Sequence, residues 1–409
     1  MHVLLFASNF HPEIGSSAQI YCDLAKTYAK HGHEVDVITS YPRKYTLSRE
    51  FQDQEYPLEE TIAGIHIHRV KHLSNRDNIL VRGLEHFYLP LYYFRAYKKL
   101  VKSGANKIDA CLLHIPPLPF YYLTKMVKRY DGTPSILNFE DFHPQELTDV
   151  GFLKNPLVIR LLKHIEKQAY TKADYITVHS PGGFDYVVSR DADPKRVEVV
   201  FNSVDLDVVD DTEIKDDFKV KEGIESKFLV TYAGILSPFQ GLDKILDTAK
   251  NLLDHSDIQF YIVGDGMEKH HLEQRIADEK LSNVALRTFI PRSEYLCLVK
   301  SSDISLVSLD YRMKAPCLPG KIINLMAVRQ PILAMVSGDS ETAKVVAEAK
   351  CGVVVDSTDD QIIANAILLL KENVEKRKLL GENGRMYMEE HMTAEVTVKQ
   401  YEDIIMRLI

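Results

Sequence analysis

Short apolar runs alternate with longer amphipathic stretches along nearly the whole chain. The apolar runs are rich in β-branched residues and have the length of strands. The predicted strands of the first half are His2–Ser8, Glu34–Ser40, Ile65–Lys71, Asp109–His114, Ser135–Asp141, Asp174–Ser180 and Val197–Phe201. Those of the second half are Phe228–Ala233, Ile258–Val263, Val284–Phe289, Ile304–Leu309, Pro331–Val336 and Gly352–Val355.

The amphipathic stretches between these strands predict helices. They are Ala18–Lys30, Pro156–Lys172, Leu242–Leu253, Glu268–Glu279, Lys321–Val328 and Ala343–Lys350, and the pattern after Asp360 is helical to the end. Apolar strands that alternate with helices predict parallel sheets covered on both faces. We therefore predict an α/β protein.

The length of 409 residues favours two domains. Between the halves, Asp205–Asp217 carries acidic residues against the single Lys215, which predicts a solvated linker. We predict two doubly wound, Rossmann-like domains, residues 1–203 and 204–389, with a C-terminal helix at about 390–409 that packs back on the first. Ligands of such sheets bind beyond the carboxyl ends of the strands, so two facing domains would hold them in a cleft.

Composition narrows the functional classes. Lys and Arg number 50 and Asp and Glu 58, and the net charge of −8 argues against a dedicated nucleic-acid binder. The 5 cysteines are widely spaced without a C-x-x-C pair, which favours a reducing cytoplasm over a disulfide framework or a zinc ribbon. The opening segment lacks the charged region of a signal peptide, and no membrane span is expected. His66 and His68 share a strand face without a third ligand, so we expect no metal site.

Two loops after strands offer an anion site. In residues 9–17, Gly15 permits unusual backbone angles, and Ser16 or Ser17 can cap the next helix, whose free N–H groups suit a phosphate. Residues 234–241 join a strand to a helix through Gly234, Ser237, Gln240 and Gly241 and match neither the dinucleotide nor the P-loop fingerprint. An ordinary strand-to-helix turn remains the alternative for both loops.

A third loop places a lysine at a helix start. Lys321 follows Pro319 and Gly320, and its charge is unfavourable at the positive end of the helix dipole. A bound anion would cancel that cost, which favours a functional role. Asn324 lies one turn further on the same face.

A fourth loop carries acids and a histidine after a strand end. Glu140 and Asp141 point to opposite faces if the chain is still extended there, so only one can face a cleft. His143 follows two residues later. The alternative is a surface turn.

Aromatic and basic residues cluster without an acid in His86–Lys102, a combination suited to an anionic membrane interface. The members that we single out are Tyr93, Arg95, Lys98, Lys99 and Lys102. The alternative is a core helix with solvated lysines. Pro90 is expected to interrupt the helix.

Eight motifs, in order, resemble those of one enzyme family. They are the Pro-Glu-x-Gly loop and His-Gly-His-Glu-Val of residues 2–40, Phe139-Glu-Asp-Phe-His-Pro-Gln-Glu with Gly151-Phe-Leu-Lys-Asn-Pro, Asn202-Ser-Val-Asp, Tyr232-Ala-Gly-Ile-Leu, Gln240-Gly-Leu-Asp, Val263-Gly-Asp-Gly, Leu318-Pro-Gly-Lys and Ser340-Glu-Thr-Ala. Together they resemble the retaining family-4 glycosyltransferases of GT-B fold. Within that family they are similar to the bacterial surface-polysaccharide subgroup of N-acetylfucosamine and colanic-acid-type transferases.

The resemblance implies a metal-independent enzyme without a cofactor, which moves an N-acetylhexosamine or related sugar from a UDP-linked donor. Its acceptor would be a polyprenyl-linked saccharide at the inner face of the cell membrane, met by the His86–Lys102 stretch. Asp141 and His143 would act on the acceptor hydroxyl. The implied donor-binding residues are Gly15, Ser16, Gly234, Ser237, Gln240, Gly241, Lys321, Asn324 and Glu341.

Several family positions differ here. The Glu-x7-Glu carboxylates fall at Pro316 and Asn324, and the Arg and Lys of the glycine loop fall at Ile235 and Gln240. The Arg that the subgroup offers in that loop falls at Pro238. Two alternatives therefore stay open, a nucleotide-sugar epimerase of the same fold and a catalytically degenerate binding protein.

Overall fold

The computed structural model describes residues 1–13, 15–43, 47, 53–72, 79–211, 218–356 and 358–409, without the side chains of 79–82 and 293. Contacts divide the chain into two compact units. The first comprises Met1–Ser203 together with Ala394–Ile409, and the second comprises Val204–Thr393.

The first unit is built on a sheet whose described strands run in the order β3-β4-β2-β1-β5-β6-β7-β8. These strands are β1 (His2–Ala7), β2 (Glu34–Ser40), β3 (Glu59–Ile62), β4 (Ile65–Val70), β5 (Ala110–Ile115), β6 (Ser135–Phe139), β7 (Tyr175–Val178) and β8 (Val197–Val199). Only the β3–β4 pairing is antiparallel among them. The buried β1 lies at the centre, with Val3 beside both Val35 and Ala110.

The second unit has a fully parallel sheet of described strands in the order β11-β10-β9-β12-β13-β14. They are β9 (Phe228–Ala233), β10 (Ile258–Val263), β11 (Val284–Arg287), β12 (Ile304–Ser308), β13 (Ile332–Met335) and β14 (Gly352–Val355). The order reverses beside β9, which is the point where doubly wound sheets bind ligands.

Helices cover both sheets. Those of the first unit are α1 (Ser16–Lys30), α2 (Ile79–Lys102), α3 (Tyr121–Asp131), α4 (Gln145–Asp149), α5 (Pro156–Lys172) and α6 (Pro181–Val188). Those of the second unit are α7 (Leu206–Asp210), α8 (Phe218–Glu222), α9 (Asp243–Asn251), α10 (Lys269–Asp278), α11 (Arg292–Ser301), α12 (Lys321–Ala327), α13 (Glu341–Glu348), α14 (Asp360–Glu372) and α15 (Val374–His391). The chain then returns to the first unit as α16 (Ala394–Leu408).

Two helix layers enclose the first sheet. On one face α1 packs against α16, and the side chains of Tyr21, Tyr28, Tyr401 and Ile404 fill the core with strand residues. On the other face α2 packs against α3, and both α2 and α5 contact the short turn Leu118–Phe120. None of the helices in the described part of the chain combines the length and the apolar character that a bilayer-spanning segment needs.

The predicted α/β class with two doubly wound, Rossmann-like units is confirmed, since both sheets are covered by helices and are parallel apart from the edge strand β3. The strand β3 was not predicted. It is a four-residue edge strand in which exposed and half-buried residues alternate, so its sequence carries little of the apolar signal on which strand prediction depends.

The expected break at Pro90 is wrong, because α2 continues through it. The buried face of the helix explains why. Tyr93 and Tyr97 are fully buried, and both rings lie against Phe6 of β1, with centroid distances of 6.3 Å and 6.1 Å. This packing outweighs the lost hydrogen bond of the proline.

The expected solvated linker is confirmed only in part for its described residues, 205–211, because Asp207, Asp210 and Asp211 are exposed but the segment folds as α7. Asp205 is buried and caps α7 by accepting from the N–H of Asp207 at 3.1 Å. Val209 is buried, and both carboxylate oxygens of Asp210 accept from Arg385, at 2.9 Å and 2.7 Å. Residues 212–217 lie outside the described residues.

Candidate functional site

Glu140, which directly follows β6, is held in a buried network. Its Oε2 accepts from Asn202 Nδ2 at 2.7 Å, and its Oε1 lies 3.2 Å from His179 Nε2. The other ring nitrogen of His179 donates to the Val200 carbonyl at 3.0 Å. Burial opposes ionisation of the acid, but the charge of His179 overrides it and lowers the pKa of Glu140 to about 2. The same pairing raises the pKa of His179 against the effect of burial. Glu140 is thus ionised at physiological pH and has fixed partners.

Asp141, the next residue, lies in a different environment. It comes together with His143 and Glu146, and one ligand atom of each lies within 4.8 Å of the others. Burial and then the charge of Glu140 raise the pKa of Asp141. Burial and then Asp141 raise the pKa of Glu146, whose carboxylate accepts from the N–H of Phe142 at 2.8 Å. A carboxylate that resists ionisation is a stronger base once ionised, as proton abstraction requires.

His143 lies half-buried beside Asp141. Burial lowers its pKa to about 4, so the imidazole is neutral at physiological pH. In that state it can accept or donate a hydrogen bond but is a weak base. By distance alone, Asp141, His143 and Glu146 could surround a cation, as could three other side-chain groups among the described residues. The expected absence of a metal stays a prediction.

Gly15 and Ser16 stand at the start of α1 in the first unit. Gly15 has φ 147° and offers no side chain that could cap the helix, and Ser16 is exposed. The first-turn N–H groups of this 15-residue helix therefore lack a side-chain cap, which leaves them open to an anion.

Lys321 opens α12 at the carboxyl end of the second sheet, where its ammonium group is half-buried. Nζ lies 3.8 Å from the centre of the Tyr232 ring and donates to Gln240 Oε1 at 3.1 Å. The Tyr232 hydroxyl donates to the same amide oxygen at 3.1 Å. Among the described residues no carboxylate forms an ion pair with Lys321, and burial lowers its pKa to about 7. The site holds a lysine that lacks an anionic partner.

Close packing explains the glycines around this lysine. A Cβ atom on Gly234 would lie 2.9 Å from Lys321 Nζ, so a larger residue there would displace the ammonium group from its present position. A Cβ on Gly264 would lie 1.9 Å from the Gly234 carbonyl oxygen. The glycines of the Val263-Gly-Asp-Gly motif therefore allow the loop after β10 to pack closely against the loop after β9.

The loop of residues 234–241 offers fewer free amides than expected. The N–H groups of Gly234, Leu236 and Gln240 donate to Val263, Asp265 and Ser237, at 2.9 Å, 3.0 Å and 3.0 Å. These three N–H groups already have acceptors within the unit, and the anion site predicted for this loop stays a prediction. Buried backbone N–H groups are almost always paired, so these amides are satisfied within the unit.

The remaining predicted donor residues lie in the same unit. Ser237 precedes the short turn Pro238–Gln240, and Gly241 follows it with φ 58°. Asn324 is half-buried on α12. Glu341 is buried at the first position of α13 and lies 3.3 Å from Lys344 Nζ.

Tyr93 does not belong to the predicted membrane surface. Its ring is fully buried, and its hydroxyl bonds Ser40 at 2.9 Å and the Ala7 carbonyl at 3.0 Å. The helical period turns it inward while its basic neighbours point outward. Arg95, Lys98, Lys99 and Lys102 do line one open groove on the surface of α2. Lys99 also pairs with Glu59.

Sequence reasoning missed several members of these clusters. His179 and Asn202 come from the segments after β7 and β8, Glu146 from α4, and Tyr232 from inside β9. The rule that parallel strands present their carboxyl ends at one edge could have flagged His179, which lies at the end of a predicted strand. Nothing in the sequence pairs Tyr232 with Lys321.

Two family models match the chain, one in each half. Residues 15–203 match the glycosyl transferase 4-like domain, and residues 214–387 match glycosyl transferases group 1. An uncharacterized glycosyltransferase of Methanocaldococcus jannaschii is 24% identical over 63% of this chain and 64% of its own length, just under two thirds of that relative. WcaI of Escherichia coli K12, provisionally named as a colanic acid biosynthesis glycosyl transferase, is 22% identical over 80% of this chain and 81% of its own.

Solved structures share the whole fold. Sucrose-phosphate synthase of Thermosynechococcus elongatus has a TM-score of 0.78 at 17% identity and covers 100% of this chain and 99% of its own. HepE of Anabaena, solved in complex with UDP-glucose, has a TM-score of 0.71 at 14% identity, with 100% of both chains covered. With both domain models in place along the chain, this protein belongs to the glycosyltransferases of GT-B fold, with a 4-like first domain and a group 1 second domain.

Proposed function

We propose that this chain is a retaining, metal-independent glycosyltransferase of surface-polysaccharide biosynthesis that uses a UDP-linked sugar. The observation that carries the proposal is Lys321, a half-buried lysine held by an amide oxygen and an aromatic ring rather than by a carboxylate. Burying a cation without a counter-ion costs stability. A diphosphate that enters the site would supply the missing charge.

In this proposal Lys321 stabilises the leaving diphosphate. Negative charge builds on the phosphate oxygens as the sugar departs, and a fixed cation in a partly dry site lowers the energy of that state. The anion also restores the charge of the lysine, because a nearby negative charge raises a lysine pKa. Asn324 would bond the ribose or a phosphate, and Glu341 would bond the sugar. Ser16 and the uncapped amides of α1 would add donors from the first unit.

Asp141 would accept the proton of the attacking acceptor hydroxyl. Its raised pKa suits this role, whereas Glu140 stays ionised and bound to His179 and Asn202. His143, neutral at physiological pH, would orient the hydroxyl through a hydrogen bond.

The relatives support the choice of substrates. WcaI is named for colanic acid biosynthesis, and HepE was solved with UDP-glucose. A polyprenyl-linked saccharide would be the acceptor, and the protein would work in the cytoplasm, peripherally on the inner face of the cell membrane. Arg95, Lys98, Lys99 and Lys102 would contact that membrane.

The test follows nucleotide release from a panel of UDP- and GDP-sugars, with and without a membrane lipid extract. We expect release from one UDP-sugar that depends on the extract and transfers the sugar to a lipid. Retention is read from the anomeric configuration of the product by NMR. If a nucleotide sugar is converted to its epimer in the absence of an acceptor, the protein is an epimerase and not a transferase. No release from any donor, together with no thermal shift with UDP, would leave only a non-catalytic binding protein.

A further inference from the structure

The first half of α5 exposes apolar side chains to solvent. Leu157 is 77% exposed, Leu161 is 47% exposed and Val158 is 39% exposed, although all three are apolar. The second half of the helix is anchored instead, through buried residues such as Ile165 and Tyr170. Apolar side chains at positions i, i+1 and i+4 share one face of a helix. This face is unpartnered within the described structure.

The first half of α5 is helical without any binding partner. Asn155 caps the helix and accepts from the N–H groups of Leu157 and Val158, at 3.0 Å and 3.3 Å. The preceding residue Phe152 is a further exposed apolar side chain, at 43%. The first turns of α5 are thus already formed, and their side chains Leu157 and Leu161 are exposed to solvent.

The charged side chains within this segment are of one sign. Lys154, Arg160 and Lys163 are exposed, and the sequence from Val150 to Ile165 contains no acidic residue. Leucines framed by lysine and arginine are complementary to the boundary between anionic headgroups and acyl chains, where the apolar side chains insert and the cations meet phosphates. A partner protein would have to supply both an apolar groove and an acidic rim.

The position in the fold agrees with this complementarity. Helices α2, α3 and α5 cover the same face of the first sheet, and Lys125 of α3 bonds Gln168 of α5 at 3.0 Å. In the same layer α2 exposes Leu84, Phe87 and Leu91 ahead of its basic groove. One helix layer therefore carries two apolar and basic surfaces.

We propose that residues 152–164 form an interfacial anchor, which inserts Leu157, Val158 and Leu161 into the surface of an anionic phospholipid membrane. The anchor rests on the proposed function only for its purpose, to hold the enzyme where a lipid-linked acceptor lies. Membrane binding is measured without any donor or acceptor, so its failure is distinct from failure of the enzymatic proposal.

The absence of tryptophan from the chain makes a direct test possible. Leu161→Trp in the full-length protein introduces a single tryptophan at the anchor, and Leu379→Trp places one at an exposed leucine of the second unit. With vesicles of phosphatidylethanolamine and phosphatidylglycerol, we expect the emission of the Leu161→Trp protein to shift to shorter wavelength and to be quenched by brominated acyl chains. The emission of the Leu379→Trp protein should not change.

A second pair of variants measures the strength of the anchor. In flotation with the same vesicles, Leu157→Ser/Leu161→Ser should bind about tenfold more weakly than the parent protein. Leu369→Ser/Leu379→Ser, which alters two exposed leucines elsewhere, should bind like the parent. Circular dichroism checks that every variant is folded.

Two outcomes would overturn the proposal. In the first, the emission of the Leu161→Trp protein does not change although the protein floats with the vesicles, so that membrane binding uses another surface. In the second, light scattering shows a dimer that Leu157→Ser/Leu161→Ser dissociates, so that a second copy of the chain covers this face.

Discussion

The carboxyl ends of the two sheets have the same topology but opposite chemistry. In the first unit, acids and imidazoles crowd behind β6 and β7, where Glu140 is paired with His179 and Asp141 is not. In the second unit, Lys321 lies at the loops around β9 and pairs with no carboxylate of the described residues. Paired charges hold a structure in place, whereas a charge without a counter-ion is available to a substrate. The difference separates the groups that support the fold from those that can react.

The largest expected effect comes from breaking a satisfied pair. Glu140→Gln removes the carboxylate that pairs with His179, and we expect it to lower the free energy of unfolding by about 3–5 kcal/mol, because the remaining member of the pair stays desolvated without compensation. Glu375→Gln, which alters a largely exposed acid, is the matched control. Urea denaturation near pH 6 measures both. A loss equal to that of the control would mean that Glu140 does not support the fold.

The pair also has a pH signature. The folded-state pKa of Glu140 is depressed to about 2, so its contribution to stability is complete above the ordinary glutamate pKa and disappears as the pH falls toward 2. Glu140→Gln should therefore flatten the acid side of the stability curve.

A somewhat smaller effect is expected when the unpaired charge is removed. Lys321→Ala should slow donor turnover about 100-fold, as the loss of one fixed donor to a developing anion does elsewhere. Its stability should stay level or rise, because the buried cation has no anion to lose. Lys378→Ala, an exposed lysine of the same unit, is the control. Nucleotide release and thermal unfolding are measured together, and a near-parental rate would contradict the phosphate role.

The smallest effect concerns pH. Burial lowers the pKa of Lys321 to about 7 in the free protein, so the cation that binds the donor is progressively lost above that pH. We expect kcat/KM for the donor to fall on the alkaline side, up to about tenfold per pH unit. Lys321→Arg keeps its charge and should move this fall to higher pH. An identical alkaline limb in both proteins would assign the titration to another group.

Most of the fold was predictable because apolar strands and amphipathic helices have local sequence patterns that can be recognised. The errors came where distant contacts override local preference. Pro90 stays helical because Tyr93 packs on Phe6 of another element. Asp210 of the expected linker is exposed, but Arg385, which lies 175 positions further along the chain, holds it in place.

The candidate site divides in the same way. Lys321 and Asp141 stand out locally, since one opposes a helix dipole and the other follows a strand end. The neighbours of these two residues cannot be predicted from the local sequence. Tyr232 and Gln240 contact the lysine, and His179 lies near the acid, but all three come from separate segments. The sequence also does not show that the N–H groups of Gly234 and Leu236 already bond a neighbouring loop.

The return of α16 to the first unit affects how the protein is made. Tyr401, Ile404 and Ile405 belong to the core around β1, and the Tyr401 hydroxyl lies 3.2 Å from Thr177 Oγ1. During synthesis on the ribosome, residues 1–203 therefore leave one apolar face of their sheet uncovered until the whole second unit and then α16 have been made. The second unit, which is continuous in sequence, can fold first. The first unit, although its sequence begins earlier, is completed last.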